Sequence, residues 1–401
     1  MKNYQDTETG QIFAFDDGVN PLTLNYRNIP STLSETIISK PSESHVWLNG
    51  SWVVDTEAPK DYKQPISSVP AYDPAWLAFL NPYTFIITHG SKYEEISIDQ
   101  INSNNYNNSL LSETVTSLPL TNNDHLNALV SYDGAIAIPR NTDYPSSNIA
   151  LDNINRIFCA ILLGGEHTEV VSPELLLNGS ILENTKDIFV YQDGKHSRLR
   201  HKWASLQERI ILNHPRIVYI SDLRNAYLHG IKIIDSISNL SPFFLLNGYS
   251  AMVYQNRSDA LSSLWIVVEQ LTSFLWENRF LTTSDLHPKM MKDRKKSLKE
   301  DNRTWSTSVK HELLWQTKFL SEDCFSGLSK ARKQRNNLVH EGTIPEFEVI
   351  RNLWNCIFEL IESTSGIDLT QMRRLIPVEA DVLTTPGKTN FDAWKILSKS
   401  I

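Results

Sequence analysis

From Ser258 to Leu281 the chain reads "SDALSSLWIVVEQLTSFLWENRFL", with apolar residues at 261, 264, 265, 268, 271, 274 and 275. Steps of three and four gather those side chains on one side of a helix. They cannot share a face of a strand, where alternate residues point the same way. A helix of several turns with such a stripe must be covered by other elements, which limits the folds open to this chain. Ser258 is the expected N-cap.

The same period returns in "STSVKHELLWQTKFL", in "EDCFSGLSKARKQRNNLVH" and in "PEFEVIRNLWNCIFELIEST", the last with Pro345 expected near its first turn. Four helices joined by short loops predict an antiparallel bundle over residues 246–375. Upstream the pattern is mixed. "ALVSYDGAIAIP" and "PRIVYISDL" read as buried strands, whereas "LDNINRIFCAILLGG" and "DLRNAYLHGIKIIDSI" have helical period, with a turn at Gly164-Gly165. Residues 75–245 are expected to form an α/β or α+β domain of sensor or regulatory type. Residues 1–65 read as a small β-rich module with a hairpin turning at Asn49-Gly50 between Trp47 and Trp52. "PISSVPAYDP" reads as an extended linker from Pro65 to Pro74, and residues 376–401 as a tail. The expected fold class is α+β: a mixed N-terminal region, then a helical bundle.

At 401 residues and 41% hydrophobic content, the chain can bury real cores. The start, "MKNYQDTETG", holds no apolar leader, and no segment has the uninterrupted apolar length of a membrane span. The expectation is a cytoplasmic protein with no membrane contact. Cys159, Cys324 and Cys356 form no C-x-x-C pair, so reduced thiols are expected rather than a disulfide scaffold or a zinc ribbon. Cys159 lies in an apolar helix and reads as core. "LLGGEHTEV" lacks the spacing of a phosphate loop, and "KHELLW" lacks the second His of a zincin, so His311 and Glu312 read as a solvated helix face.

Net charge is −8, which does not advertise nucleic-acid binding by the whole chain. Locally the balance reverses. "KMMKDRKKSLK" carries six basic residues against one acid, among them Lys292, Arg294, Lys295 and Lys296, and Lys330, Arg332, Lys333 and Arg335 follow on the third helix. A basic patch on an acidic chain would draw a polyanion to one place, although such runs are also common on solvated helix faces. "GKHSRLRHKW" is a second basic aromatic stretch, and "SPFFLLNGYSAMVY" is apolar enough for a seam between domains or a dimer face.

On the third helix, Phe325, Leu328, Ala331 and Leu338 recur at core spacing, and Arg335 shares their stripe. A guanidinium keeps its proton, so on a buried face it needs a partner or an anion. Glu269, on the preceding long helix, is a candidate anchor. Arg332, Asn336 and His340 form a polar line beside the stripe. This set suits phosphodiester cleavage. His moves a proton near neutral pH, Arg holds phosphoryl oxygens, and Asn orients a hydroxyl or the imidazole. No carboxylate pair or second His lies at ligand spacing, so the expected chemistry uses no metal and no cofactor. "VHEG" also reads simply as a helix end, with His340 at the negative end of the dipole and Gly342 as the stop.

The string "RNNLVH", Arg335 to His340, resembles the motif of HEPN-domain ribonucleases, in the version found in ApeA-like and abortive-infection HEPN proteins. The resemblance covers about residues 250–370. It implies a homodimer in which two motifs meet and cleave RNA through attack of the 2′-hydroxyl, leaving a 2′,3′-cyclic phosphate. It also implies Arg335 on phosphate charge, Asn336 in orientation and His340 as general acid or base. The function expected on that resemblance is a metal-independent endoribonuclease of toxin or antiphage-defence type, acting on tRNA or mRNA, with a possible phage-derived trigger. The alternative is a non-catalytic HEPN subunit that binds RNA or protein. "YQDTETGQIFAFDDG" resembles segments of phage tail-fibre-associated proteins, which leaves a tail-associated role as a third reading.

Overall fold

The computed structural model describes residues 2–6, 12–15, 33–35, 45–48, 51–54, 72–89, 109–120, 126–182, 187–191, 216–283, 292–301 and 303–375. The chain divides into two compact units, Met1–Val69 and Pro70–Ile401.

In the first unit, β1 (Lys2–Asp6), β2 (Ile12–Phe15), β3 (Leu33–Glu35), β4 (His45–Leu48) and β5 (Ser51–Val54) form one sheet in the order β3-β1-β2-β5-β4. β4 and β5 pair antiparallel, with Trp47 opposite Trp52 and Leu48 opposite Ser51. The expected turn, Asn49-Gly50, lies between these strands and outside the described residues.

The second unit opens with β6 (Tyr72–Phe79). Pro74 is therefore not linker but strand, opposite Ser180. β7 (Thr84–Ile87), a short α1 (Ser109–Ser112), β8 (Thr114–Pro119), β9 (Asn127–Ser131), β10 (Ala135–Pro139), α2 (Ser147–Leu163), β11 (Leu177–Leu182), β12 (Asp187–Val190) and β13 (Arg216–Tyr219) follow. Six of these strands make an antiparallel sheet in the order β12-β11-β6-β10-β9-β8, and β13 pairs with β7 in parallel. The pleat sorts the side chains. Trp76, Ala78, Ile136 and Ile138 face the main core, while Ala75, Leu77, Phe79, Ala135 and Ala137 make a smaller core with Leu177, Ile188 and Val190 on the other face.

α2 starts at Ser146, whose hydroxyl accepts from Ile149 N, and ends at Gly164; Gly165 follows with φ +98. It packs on α3 (Ile220–Ser236) so closely that a Cβ at Gly230 would lie 1.8 Å from the Ala160 carbonyl oxygen. α4 (Pro242–Val253), the apolar "SPFFLLNGYSAMVY" segment, packs on α2 and on α5 (Arg257–Leu275). The main core runs from Trp76 through this segment to Met372, across the boundary expected at 245–246.

α5 begins one residue before the expected cap. Asn256, not Ser258, accepts from the Asp259 N–H, because its side chain stands outside the first turn where Ser258 is already helical. A π turn (Trp276–Phe280), α6 (Leu281–Thr283), α7 (Lys292–Glu300), α8 (Thr307–Gln316), α9 (Glu322–Glu341) and α10 (Phe347–Ser365) complete the unit. α5, α8 and α9 pack on one another, and α10 packs on α5 and α9. α10 starts at Phe347 with Pro345 buried just before it, because Gln334 Oε1 accepts from Glu346 N at 2.8 Å and holds the turn back. Cys159, Cys324 and Cys356 are buried free thiols, and burial pushes Cys159 far above the usual thiol range. The fold class is α+β, and among the described residues no helix is long and apolar enough to cross a membrane.

Candidate functional site

Local chemistry fixes α9. Ser321 caps it, its hydroxyl accepting from Cys324 N at 3.1 Å, and Glu322 and Asp323 stand in the first turn where the dipole favours them. Gly342, with φ +69, ends it, its N–H reaching the carbonyls of Asn337 and Leu338. Between those ends, Cys324, Gly327, Leu328 and Ala331 are buried and Leu338 is half-buried against the core. Arg335 is half-buried in this stripe, as the spacing requires, and has no ion pair or hydrogen bond among the described residues. A guanidinium on such a stripe favours an anion that reaches the helix from outside.

Arg332, Asn336 and His340 are exposed and succeed one another every fourth residue, so they lie along one solvent face. Arg335 and His340 do not share a face. Five residues at 3.6 per turn set them about 140° apart around the axis. Beside His340, Val339 is 57% exposed and Ile344 68% exposed, so large apolar side chains stand in solvent at this end of the helix.

Glu269 does not anchor Arg335. It is exposed, and its Oε1 accepts from Trp265 Nε1 on its own helix at 2.7 Å. The four-residue spacing that makes Trp265 a neighbour decides this over position in the bundle. Lys330 and Lys333 are exposed on α9. Lys296 is exposed on α7, 3.8 Å from Glu300, and Lys299 lies 3.5 Å from Glu277, so part of this basic run is matched by acids. The side chains of Lys292, Arg294 and Lys295 lie outside the described residues, as does "GKHSRLRHKW".

His311 is the residue that sequence reasoning misplaced. It is 3% exposed, with Nε2 2.8 Å from Thr272 Oγ1 and its ring edge-on to Trp265. Burial, with Arg332 and Lys310 nearby, pushes its pKa down to about 4. The period of α8 alone hid this, because α8 is short and its neighbours α5 and α9 enclose a polar residue.

Between α8 and α9 opens a cleft of about 510 Å³, with Trp305, Phe325, Glu312, Ser329 and Arg332 among its lining residues. Phe325 stacks on Trp315 behind it at 4.8 Å between ring centres. Neither cleft nor stack was legible beforehand, since their residues come from separate elements. Among the described residues no three His, Cys, Asp or Glu side chains gather where a metal ion could be held. No family model, curated protein or solved structure matches the chain.

Proposed function

We propose that the chain is an endoribonuclease of the HEPN type that cleaves RNA at a homodimer interface formed around α9. The single observation that carries this reading is the half-buried Arg335, which has no ion pair or hydrogen bond among the described residues, on a helix that also presents exposed Asn336 and His340. Arg335 would bind the scissile phosphodiester and offset charge as the 2′-hydroxyl attacks. His340, exposed in the last turn of its helix, would move the proton between the 2′-hydroxyl and the leaving oxygen. Asn336, one turn before His340, would orient the imidazole or the hydroxyl. No step requires a metal ion.

The dimer answers a geometric problem within one copy. Arg335 and His340 diverge around α9, so the Arg of one protomer and the His of its partner would serve one linkage. Val339 and Ile344, exposed beside His340, give a second copy apolar surface to cover. The substrate on this reading is tRNA or mRNA. Residues before the helical region would carry a regulatory role, with a phage-derived trigger and a part in antiphage defence.

The test is cleavage of a mixed RNA pool by the purified full-length protein in the presence of a chelator, with product ends mapped. His340→Ala and Arg335→Ala should each lower cleavage by about 100-fold or more while the folded dimer persists. Ile344→Asp should separate the protomers and abolish cleavage together. Undiminished cleavage in His340→Ala and Arg335→Ala would overturn the reading. RNA that is bound but never cut by the wild-type chain would assign the site to a non-catalytic binding module instead.

A further inference from the structure

The cleft between α8 and α9 is not used by the cleavage proposed above, yet it opens on the same helix. We propose that it is a subsite for one unstacked base of single-stranded RNA, selecting bases with an exocyclic amino group over uracil. This inference rests on RNA being the substrate.

The lining supplies what a base needs. Trp305 and Phe325 line the cleft and are half-buried rather than sealed, so part of each ring is left for a base to stack on, while Trp315 holds the other side of Phe325 in a parallel stack at 9° and Trp276 packs on Trp305. Arg332 is exposed at the cleft and stands where a phosphate flanking the bound base would lie. Glu312 reads the edge. One of its oxygens, Oε1, accepts from Gln316 Nε2 at 2.8 Å, which fixes the carboxylate and leaves Oε2 to accept from an amino group. Uracil carries O4 where cytosine carries its amino group, so at that position an oxygen would face the carboxylate and only the neighbouring N3–H could donate.

The volume fits one nucleotide rather than a duplex, and a carboxylate wall disfavours a continuous phosphate track. The cleft is also in register with the cleavage motif. Arg332 belongs to both the cleft and the exposed line, and His340 follows it by about 12 Å along the axis at roughly 1.5 Å per residue. A strand anchored by one base here would run its backbone along Arg332 and Asn336 toward His340. The subsite would thereby set which linkage is presented.

Binding of short 2′-O-methyl oligonucleotides of adenine, cytosine or uracil to the full-length protein tests this, since that backbone cannot be cut through its 2′ position. Adenine and cytosine oligomers should bind about five-fold or more tighter than uracil. Ser329→Trp and Ser308→Trp, which fill the cleft from either wall, should each weaken binding about ten-fold with an unchanged melting temperature. Glu312→Gln should erase the preference against uracil. Equal affinity for all three oligomers together with undisturbed binding in both filled variants would overturn the subsite, as would a preference that survives Glu312→Gln. The two readings fail separately. If His340→Ala and Arg335→Ala abolish cleavage while the filled variants bind and cut as wild type, the subsite falls and the cleavage motif stands. If the filled variants lose binding while His340→Ala still cuts, the motif falls and the subsite stands.

Discussion

Trp265 Nε1 donates to Glu269 Oε1 at 2.7 Å, one turn along the same helix, so the carboxylate nearest in sequence logic to Arg335 is occupied elsewhere. Glu269→Gln should therefore leave RNA cleavage within about two-fold of wild type, and stability within about 0.5 kcal/mol, since the amide oxygen still accepts. Cleavage assays beside denaturant midpoints check both. A large loss of activity with intact folding would reinstate Glu269 as a partner of the site.

Arg335 sits in the line of Leu328, Ala331 and Leu338 with no charge partner among the described residues. Replacing it with a side chain that suits that stripe should relieve desolvation. Arg335→Met is expected to raise stability by up to about 1 kcal/mol while removing activity, the trade seen where function holds a charge on an apolar face. Urea melts monitored by far-UV circular dichroism would report it. A clear destabilisation would mean that the guanidinium is satisfied inside the fold.

His311 gives the fold an acid limit. Its folded pKa, about 4, lies below the ordinary imidazole value of 6.5, so the unfolded chain binds the extra proton first as pH falls. Its contribution is fully present above about pH 6.5 and is lost as pH falls toward 4, by up to on the order of 3 kcal/mol. Melting temperatures of the wild type should drop across that window, and His311→Phe should flatten the slope. An identical slope in the variant would place the acid sensitivity in other groups.

The contact between α2 and α3 admits no side chain at Gly230, where a Cβ would meet the Ala160 carbonyl oxygen. Gly230→Ala should cost about 3 kcal/mol or prevent folding, because the atom in the way is backbone and cannot rotate aside. Calorimetry of the purified variant measures it. A stable variant would show that the two helices can separate without loss.

How much was legible in the chain follows from the range of the forces involved. Cβ directions repeat every 3.6 residues in a helix and every two in a strand. On that basis the stripe on α9, the half-burial of Arg335, the antiparallel pairing of Trp47 with Trp52, the turn at Gly164-Gly165 and the helix end at Gly342 could all be read from neighbours in sequence. Tertiary structure decided what depended on approach between distant segments. It turned Glu269 toward Trp265, sealed His311 against Thr272, drew Pro74 into a strand and opened a cleft between α8 and α9. Periodicity states which face of an element is turned inward. Only packing settles which atoms meet there, since desolvation and hydrogen bonding act at contact distance between residues that the sequence leaves far apart.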